Sequence, residues 1–173
     1  MIITNNEALL RVPCLPVLSE EVPALVQALE AELDHANRMG VSGIGLAAAQ
    51  IGIGKHIAII RTGEHNFNLV NAKILHAYDP KVFKEEGCLS FPGRIEDTIR
   101  FQEVHVSHMD GEFIATGLLA VVCQHEIDHL NGSLFLDHLT PKLMKKKAAP
   151  NDPCPCGKLI DGKVRKFKKC CGK

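Results

Sequence analysis

The chain has 173 residues, 46% hydrophobic and 23% charged, which suits one globular domain with a modest core and excludes a disordered or fibrous protein. Formal charge is zero but uneven: residues 142–173 hold ten Lys and one Arg against Asp152 and Asp161, a net +9, which leaves −9 on residues 1–141. Met1 to Leu10 has no basic start followed by an apolar run, and Leu118 to Cys123 is too short to span a bilayer, so a soluble, cytoplasmic protein without a membrane span is expected.

In chain order, residues 1–18 read as an irregular arm broken by Pro13 and Pro16. Ser19 is a candidate cap for a helix over 20–40, with Leu25, Leu29 and Leu33 on one face and Gly40 past its end. In Gly43-Ile44-Gly45-Leu46-Ala47-Ala48-Ala49-Gln50 the small residues allow another chain close to the backbone, although, taken alone, a turn packed under a helix is the better explanation. Strands are expected at His56–Arg61, Phe67–Leu75, Val82–Glu86 and Arg100–His108, the last alternating cleanly, with Asp110-Gly111 turning into Glu112–Ala115. Thr116 or Gly117 opens a helix whose first turns are apolar all round and therefore buried. Ser133–Asp137 reads as a short strand, and a helix starting at Thr140-Pro141 is stopped by Pro150. Together these give an α+β fold of short antiparallel sheets around a central buried helix.

That helix carries Gln124-His125-Glu126-Ile127-Asp128-His129-Leu130. Residues i and i+4 share a helix face, so His125 and His129 direct two imidazoles at one point, and Glu126 stands beside it to take a proton from water polarised by a cation. Asp128 points off that face and suits a supporting hydrogen bond instead. A third ligand is needed. Cys14 and Cys123 read as small buried hydrophobes, but Cys88 follows Gly87 in a polar strand end, where its sulfur can reach a cation. Three protein ligands leave a fourth position open, the mark of a catalytic site. The other seven histidines read as surface or strand positions.

The segments Gly43–Gln50, Glu86-Gly87-Cys88-Leu89-Ser90 and Gln124–Leu130 resemble, in order and spacing, the three signature motifs of peptide deformylases. The resemblance runs from Leu10-Arg11 to about His138-Leu139. It implies removal of the formyl group from the N-terminal methionine of nascent polypeptides, with release of formate. It also implies metal ligation by Cys88, His125 and His129, proton transfer by Glu126, and oxyanion stabilisation by Gln50 and the Leu89 N–H. Gly43, Ile44 and Gly45 would pair their backbone with the substrate as an added strand, and the methionine would enter an apolar pocket, with Ile44 and Cys123 as candidate walls. Phe91 stands where a smaller aliphatic residue is common in the family, and its ring is expected to reshape that pocket. The implied native metal is Fe2+, with Zn2+, Ni2+ or Co2+ able to replace it, and the catalytic domain is expected over 1–144 as a monomer.

Beyond a basic linker at 145–153, Cys154, Cys156, Cys170 and Cys171 have spacing suited to one tetrahedral Zn2+ in a tail over 154–173, which needs a metal to fold. The tail resembles the cysteine-rich zinc motif at the C-terminus of the preprotein-translocation motor ATPase, with a longer loop between the pairs. Its charge suits an anionic partner, the ribosome or ribosomal RNA. Two rival functions are an H-E-x-x-H metalloprotease, which takes its third ligand downstream of the helix, and an inactive hydrolase body carrying a zinc adaptor.

Overall fold

Pro23 sits in the first turn of α2 (Val22–Arg38), where its missing N–H costs nothing, and Gly40, at φ +82°, follows the last turn. The computed structural model describes residues 1–140, 151, 159–160, 163–164 and 166–169, in two compact units, Met1–His138 and Leu139–Lys173. Ser19 opens a 3-10 turn and does not cap α2. Glu21 takes the N-cap position without a side-chain cap bond to α2; its carboxylate instead accepts the Leu18 N–H at 2.9 Å and closes the 3-10 turn. Leu29 and Leu33 are buried with Leu25 beside them, packing α2 against Leu46, Ile57, Ile59 and Val70.

The arm expected to be irregular holds one helical turn, α1 (Glu7–Leu10), because the Asn6 side chain accepts the Leu9 N–H. Ahead of it, the Ile3 N–H donates to the Gln50 carbonyl at 2.7 Å and the Asn5 N–H to the Ser90 carbonyl at 2.8 Å. The arm thereby backs two of the motif segments.

Two antiparallel sheets follow. The first runs β1 (Gly45–Ala47), β2 (Ile57–Arg61), β3 (Asn66–Val70), and the second β4 (Lys73–Gly87), β5 (Ile95–His108), β6 (Gly111–Thr116), each in that spatial order. The strand expected at Phe67–Leu75 breaks at Asn71, held at φ +52° because its amide both accepts the Val17 N–H and donates to the Val17 carbonyl. Its second half joins Val82–Glu86 in the 15-residue β4. The alternation in β5 holds: Val104 and Val106 are fully buried, whereas Phe101, Glu103, His105 and Ser107 lie on the other face.

Helix α3 (Gly117–Leu130) lies between the sheets, with Ala120, Cys123, Ile127 and Leu130 meeting Ala58 and Ile60 on one side and Val104, Val106 and Ala115 on the other. Leu118, in its first turn, is exposed. Gln124 sets its register against β5, since Nε2 donates to the Phe101 carbonyl at 2.8 Å and Oε1 accepts the Phe101 N–H at 3.0 Å. This is the α+β architecture expected, with strands longer than the sequence suggested. Among the described residues no helix is long and apolar enough to cross a membrane.

Ser133–Asp137 is not a strand. The Asp137 carboxylate accepts the Leu134 N–H at 2.9 Å and the Ser133 hydroxyl at 3.2 Å, which curls the chain into a 3-10 turn, Phe135–His138. In the second unit β7 (Leu159–Ile160) pairs antiparallel with β8 (Lys163–Val164) ahead of a 3-10 turn, Phe167–Lys169. Cys154, Cys156, Cys170 and Cys171, and the helix expected after Thr140-Pro141, lie outside the described residues.

Arg11 reaches across to Asp137 with bonds of 2.8 and 3.0 Å, closing the arm onto that turn. Burial opposes the Asp137 charge, but the Arg11 bond and the Leu134 N–H outweigh it, and the pKa lies below the ordinary value. A depressed carboxyl pKa contributes stability above the unfolded value and loses it as pH falls through the folded one. Asp137→Asn should therefore cost about 1 kcal/mol in urea unfolding at pH 7, a figure kept small because the pair is partly exposed. The gap should close below pH 3.8, the ordinary carboxyl value. An equal gap at pH 2.5 would show that the charge is not involved.

Candidate active site

Three segments meet at one end of α3. From the end of β4, Cys88 places its sulfur 3.2 Å from His129 Nε2, and the ligand atoms of Cys88, His125 and His129 all lie within 4.8 Å of one another. The two imidazoles come together because four residues are just over one helical turn; their ring centroids are 5.0 Å apart. His125 donates its Nδ1–H to Glu86 Oε1 at 2.6 Å, which leaves Nε2 for the shared point.

Charges around this point are set by burial. Burial and the neighbouring His125 charge bring the His129 pKa down to about 3, so its ring is neutral with a lone pair available. Burial also opposes a charge on His125, but the hydrogen bonds it donates to Cys88 and Glu86 outweigh it and raise that pKa. Glu126 is pushed up to about 7, chiefly by burial, with the His125 charge pulling only part of the way back. Its Oε2 is buried and has no hydrogen-bond partner among the described residues. A carboxyl poised near neutrality with one oxygen unused is suited to exchanging a proton with a substrate or a water.

The small residues of the first motif have separate steric reasons. A Cβ on Gly45 would lie 2.9 Å from the Glu126 carboxyl carbon and closer still to Oε1. One on Gly43 would lie 2.7 Å from Leu89 and 2.9 Å from Leu33. Gln50 is almost fully buried, and its Oε1 accepts the Ala47 N–H at 2.9 Å, which turns the amide nitrogen towards Cys88 Sγ (3.5 Å) and Ser90 Oγ (3.2 Å). The Leu89 N–H has no acceptor among the described residues.

Beside this cluster opens a mainly apolar cavity of about 400 Å3, walled by Ile44, Phe83, Phe91, Leu118, Val121 and Val122. Ile44 lines this cavity. Cys123 does not: its side chain faces the main core, fully buried, where its thiol pKa rises to about 12, chiefly through burial. The Phe91 ring packs on Phe135 at 5.8 Å, and Phe135 stands 6.1 Å from the His125 ring, so the bulky residue lines the cavity and, through Phe135, backs His125.

What surrounds Cys88, His125 and His129 is not legible from spacing. Glu86 reads as part of a motif segment, Arg100 as a strand start, and His138 as one of the surface or strand histidines. Glu86 holds His125, Arg100 binds Glu86 and Asp128, and His138 Nε2 lies 3.0 Å from Asp128. Only the unusual position of an Arg on the inward side of β5, alternating with Val104 and Val106, hinted at this.

A sulfur and two imidazoles beside a buried carboxyl form the kind of centre found in metal-dependent hydrolases. The family model described as polypeptide deformylase matches residues 1–145. A peptide deformylase of Heliobacterium modesticaldum is 50% identical over 102 residues, 56% of this chain and 67% of its own. That of Treponema pallidum is 36% identical over 137 residues, 75% of this chain and 85% of its own. Among solved structures, the Thermotoga maritima peptide deformylase superposes with a TM-score of 0.71 at 31% identity, covering 82% of this chain and 97% of that one. One from Synechococcus elongatus, in complex with actinonin, gives 0.73 at 35% identity over 83% and 80%. The chain belongs to the polypeptide deformylase family. Its activity is the metal-dependent hydrolysis of the N-formyl group of nascent polypeptides.

With that activity as readout, Gly45→Ala should lower formate release roughly 100-fold by displacing Glu126, with little change in the circular dichroism melt. Full activity in the alanine variant would mean that Glu126 has room the geometry denies it.

Proposed function

We propose that Cys88, His125 and His129 hold the catalytic cation of this deformylase and that Glu126 moves the proton. The unpartnered, buried Oε2 of Glu126 beside the cysteine–histidine cluster carries this reading. The donors fit a divalent cation: His129 is neutral, His125 has its outer nitrogen tied to Glu86, and one sulfur completes a set of three. A cation held there supplies Lewis acidity and lowers the pKa of water towards neutrality. The mixed donor set accommodates Fe2+, the proposed native ion, and also Zn2+, Ni2+ or Co2+.

Glu126 accepts the proton of the attacking water and later delivers it to the departing amine. As the formyl carbon becomes tetrahedral, the Gln50 amide and the Leu89 N–H face its oxygen, two fixed donors that need no reorganisation. The substrate backbone pairs with the Gly43–Gly45 segment, since β1 is paired with β2 on only one side. The formylmethionine side chain occupies the apolar cavity, and the product leaves as formate and a free amine. A metalloprotease reading is disfavoured because Cys88, upstream of the helix, supplies the third donor.

For the tail, we propose a 154–173 segment in which Cys154, Cys156, Cys170 and Cys171 bind one Zn2+ beyond a 145–153 linker. Its net positive charge docks the 1–144 catalytic domain, as a cytoplasmic monomer, on the ribosome or ribosomal RNA.

Formate release from a formyl-methionyl peptide, with protein reloaded anaerobically with Ni2+, should fall roughly 1000-fold in Glu126→Ala. Unchanged release would remove Glu126 from the reaction. Removing residues 148–173 should abolish co-sedimentation with ribosomes and one equivalent of bound zinc while leaving peptide deformylation intact; retained co-sedimentation would refute the docking role.

A further inference from the structure

Arg100 is among the largest fully buried side chains, 1% exposed, and belongs to none of the three motif segments. Burying a guanidinium is costly, and an apolar side chain of similar size is often at least as stabilising, so stability alone is a poor reason for an Arg here. Its contacts supply a better one. Nε donates to Glu86 Oε2 at 2.9 Å, Nη2 to Glu86 Oε1 at 2.7 Å and Nη1 to Asp128 Oδ2 at 2.6 Å. Glu86 precedes Cys88 by two residues and accepts the His125 Nδ1–H, while Asp128 is the neighbour of His129 in α3. One guanidinium therefore joins the strand end that carries the sulfur to the helix that carries both imidazoles.

The remaining capacity of Glu86 is also filled. Thr98 Oγ1 donates to Oε2 at 2.5 Å, so that Oε2 accepts from Thr98 and Arg100 and Oε1 from Arg100 and His125. Four donors occupy the carboxylate's lone-pair directions. Although Glu86 lines the cavity, it has no oxygen free to turn towards the cluster.

We propose that Arg100 is a positioning residue for the reaction: its fork fixes the three donors relative to one another and withholds the Glu86 carboxylate from the cation, keeping the fourth position open for the substrate. This rests on the reading of Cys88, His125 and His129 as ligands. Arg and Lys differ here because a single ammonium cannot make parallel bonds to Glu86 while also reaching Asp128. Asp128→Asn tests the same link from the other side, keeping size and one acceptor while removing the charge.

The test uses the full chain loaded with Co2+, whose absorption reports both sulfur ligation and coordination number. Wild type, Arg100→Lys and Asp128→Asn are compared by spectrum, by Co2+ affinity against a chelator, and by kinetics on a formyl-methionyl peptide. Circular dichroism identifies the folded variants. Each folded variant should bind Co2+ about 10- to 100-fold more weakly, show altered visible bands at saturation, and lose kcat with little change in KM, because the apolar cavity is untouched. Asp128, being part-exposed, provides a readout if Arg100→Lys does not fold. A folded variant with wild-type spectrum and affinity would overturn the proposal and leave Arg100 a purely structural residue. A wild-type protein that binds Co2+ without a sulfur-to-metal band would instead refute the ligand reading on which it rests.

Discussion

Removal of the Glu126 carboxyl from water is the constraint on which the rest of this molecule depends. In water the group would be ionised at neutral pH and, as the proposed proton carrier, too weak a base to hold a proton between two steps. Burial raises its pKa to about 7, and that burial requires α3 to lie between two sheets and not on their surface. It also requires a neighbouring strand without a side chain, which Gly45 provides. The apolar first turns of α3, the alanines of the 46–49 segment and the valines of β5 therefore serve chemistry as well as packing.

A helix buried along most of its length must have its rotation and axial position fixed, because hydrophobic contacts alone are non-directional. Directional bonds do this at both levels of the structure. Gln124 pairs with both polar groups of the Phe101 peptide, and Asp128 faces Arg100 one turn further on. The two bonded positions bracket His125, so the imidazole is held by its own helix before its ring meets Glu86. The bonds come from residues 100 and 101 of one strand, which makes β5 the frame to which the helix is referenced.

Much of this was legible in the sequence where the cause was local. Four-residue spacing brought His125 and His129 together, alternation identified the inner face of β5, and Gly40 ended its helix at positive φ. Three motif segments in order were enough to indicate the family. What was not legible depended on side chains far apart in the chain. Asn71 breaks a strand-like run because it bonds Val17, 54 residues away. Asp137 turns a strand-like run into a 3-10 turn by folding back on Ser133 and Leu134, with Arg11 fixing it from the far end of the domain. Cys123 could not be assigned to the core or the pocket without knowing which helix face met which sheet. The Glu86–Arg100–Asp128 network joins residues that no period relates, so only the incongruity of an inward-facing Arg marked it.

The N-terminal arm gives the catalytic segments a common mechanical support. Ile3 hangs on the carbonyl behind Gln50 and Asn5 on the carbonyl of Ser90, two residues apart in the arm but forty apart in the segments they hold. The Gln50 segment and the sulfur-bearing turn are thus tied to the same short piece of chain. Substitutions that disturb this piece will be felt at both places at once, so their effects will not add to those of changes at Gln50 or Ser90. In thermodynamic terms the arm is a coupling element: it makes the order of two active-site segments a single cooperative property.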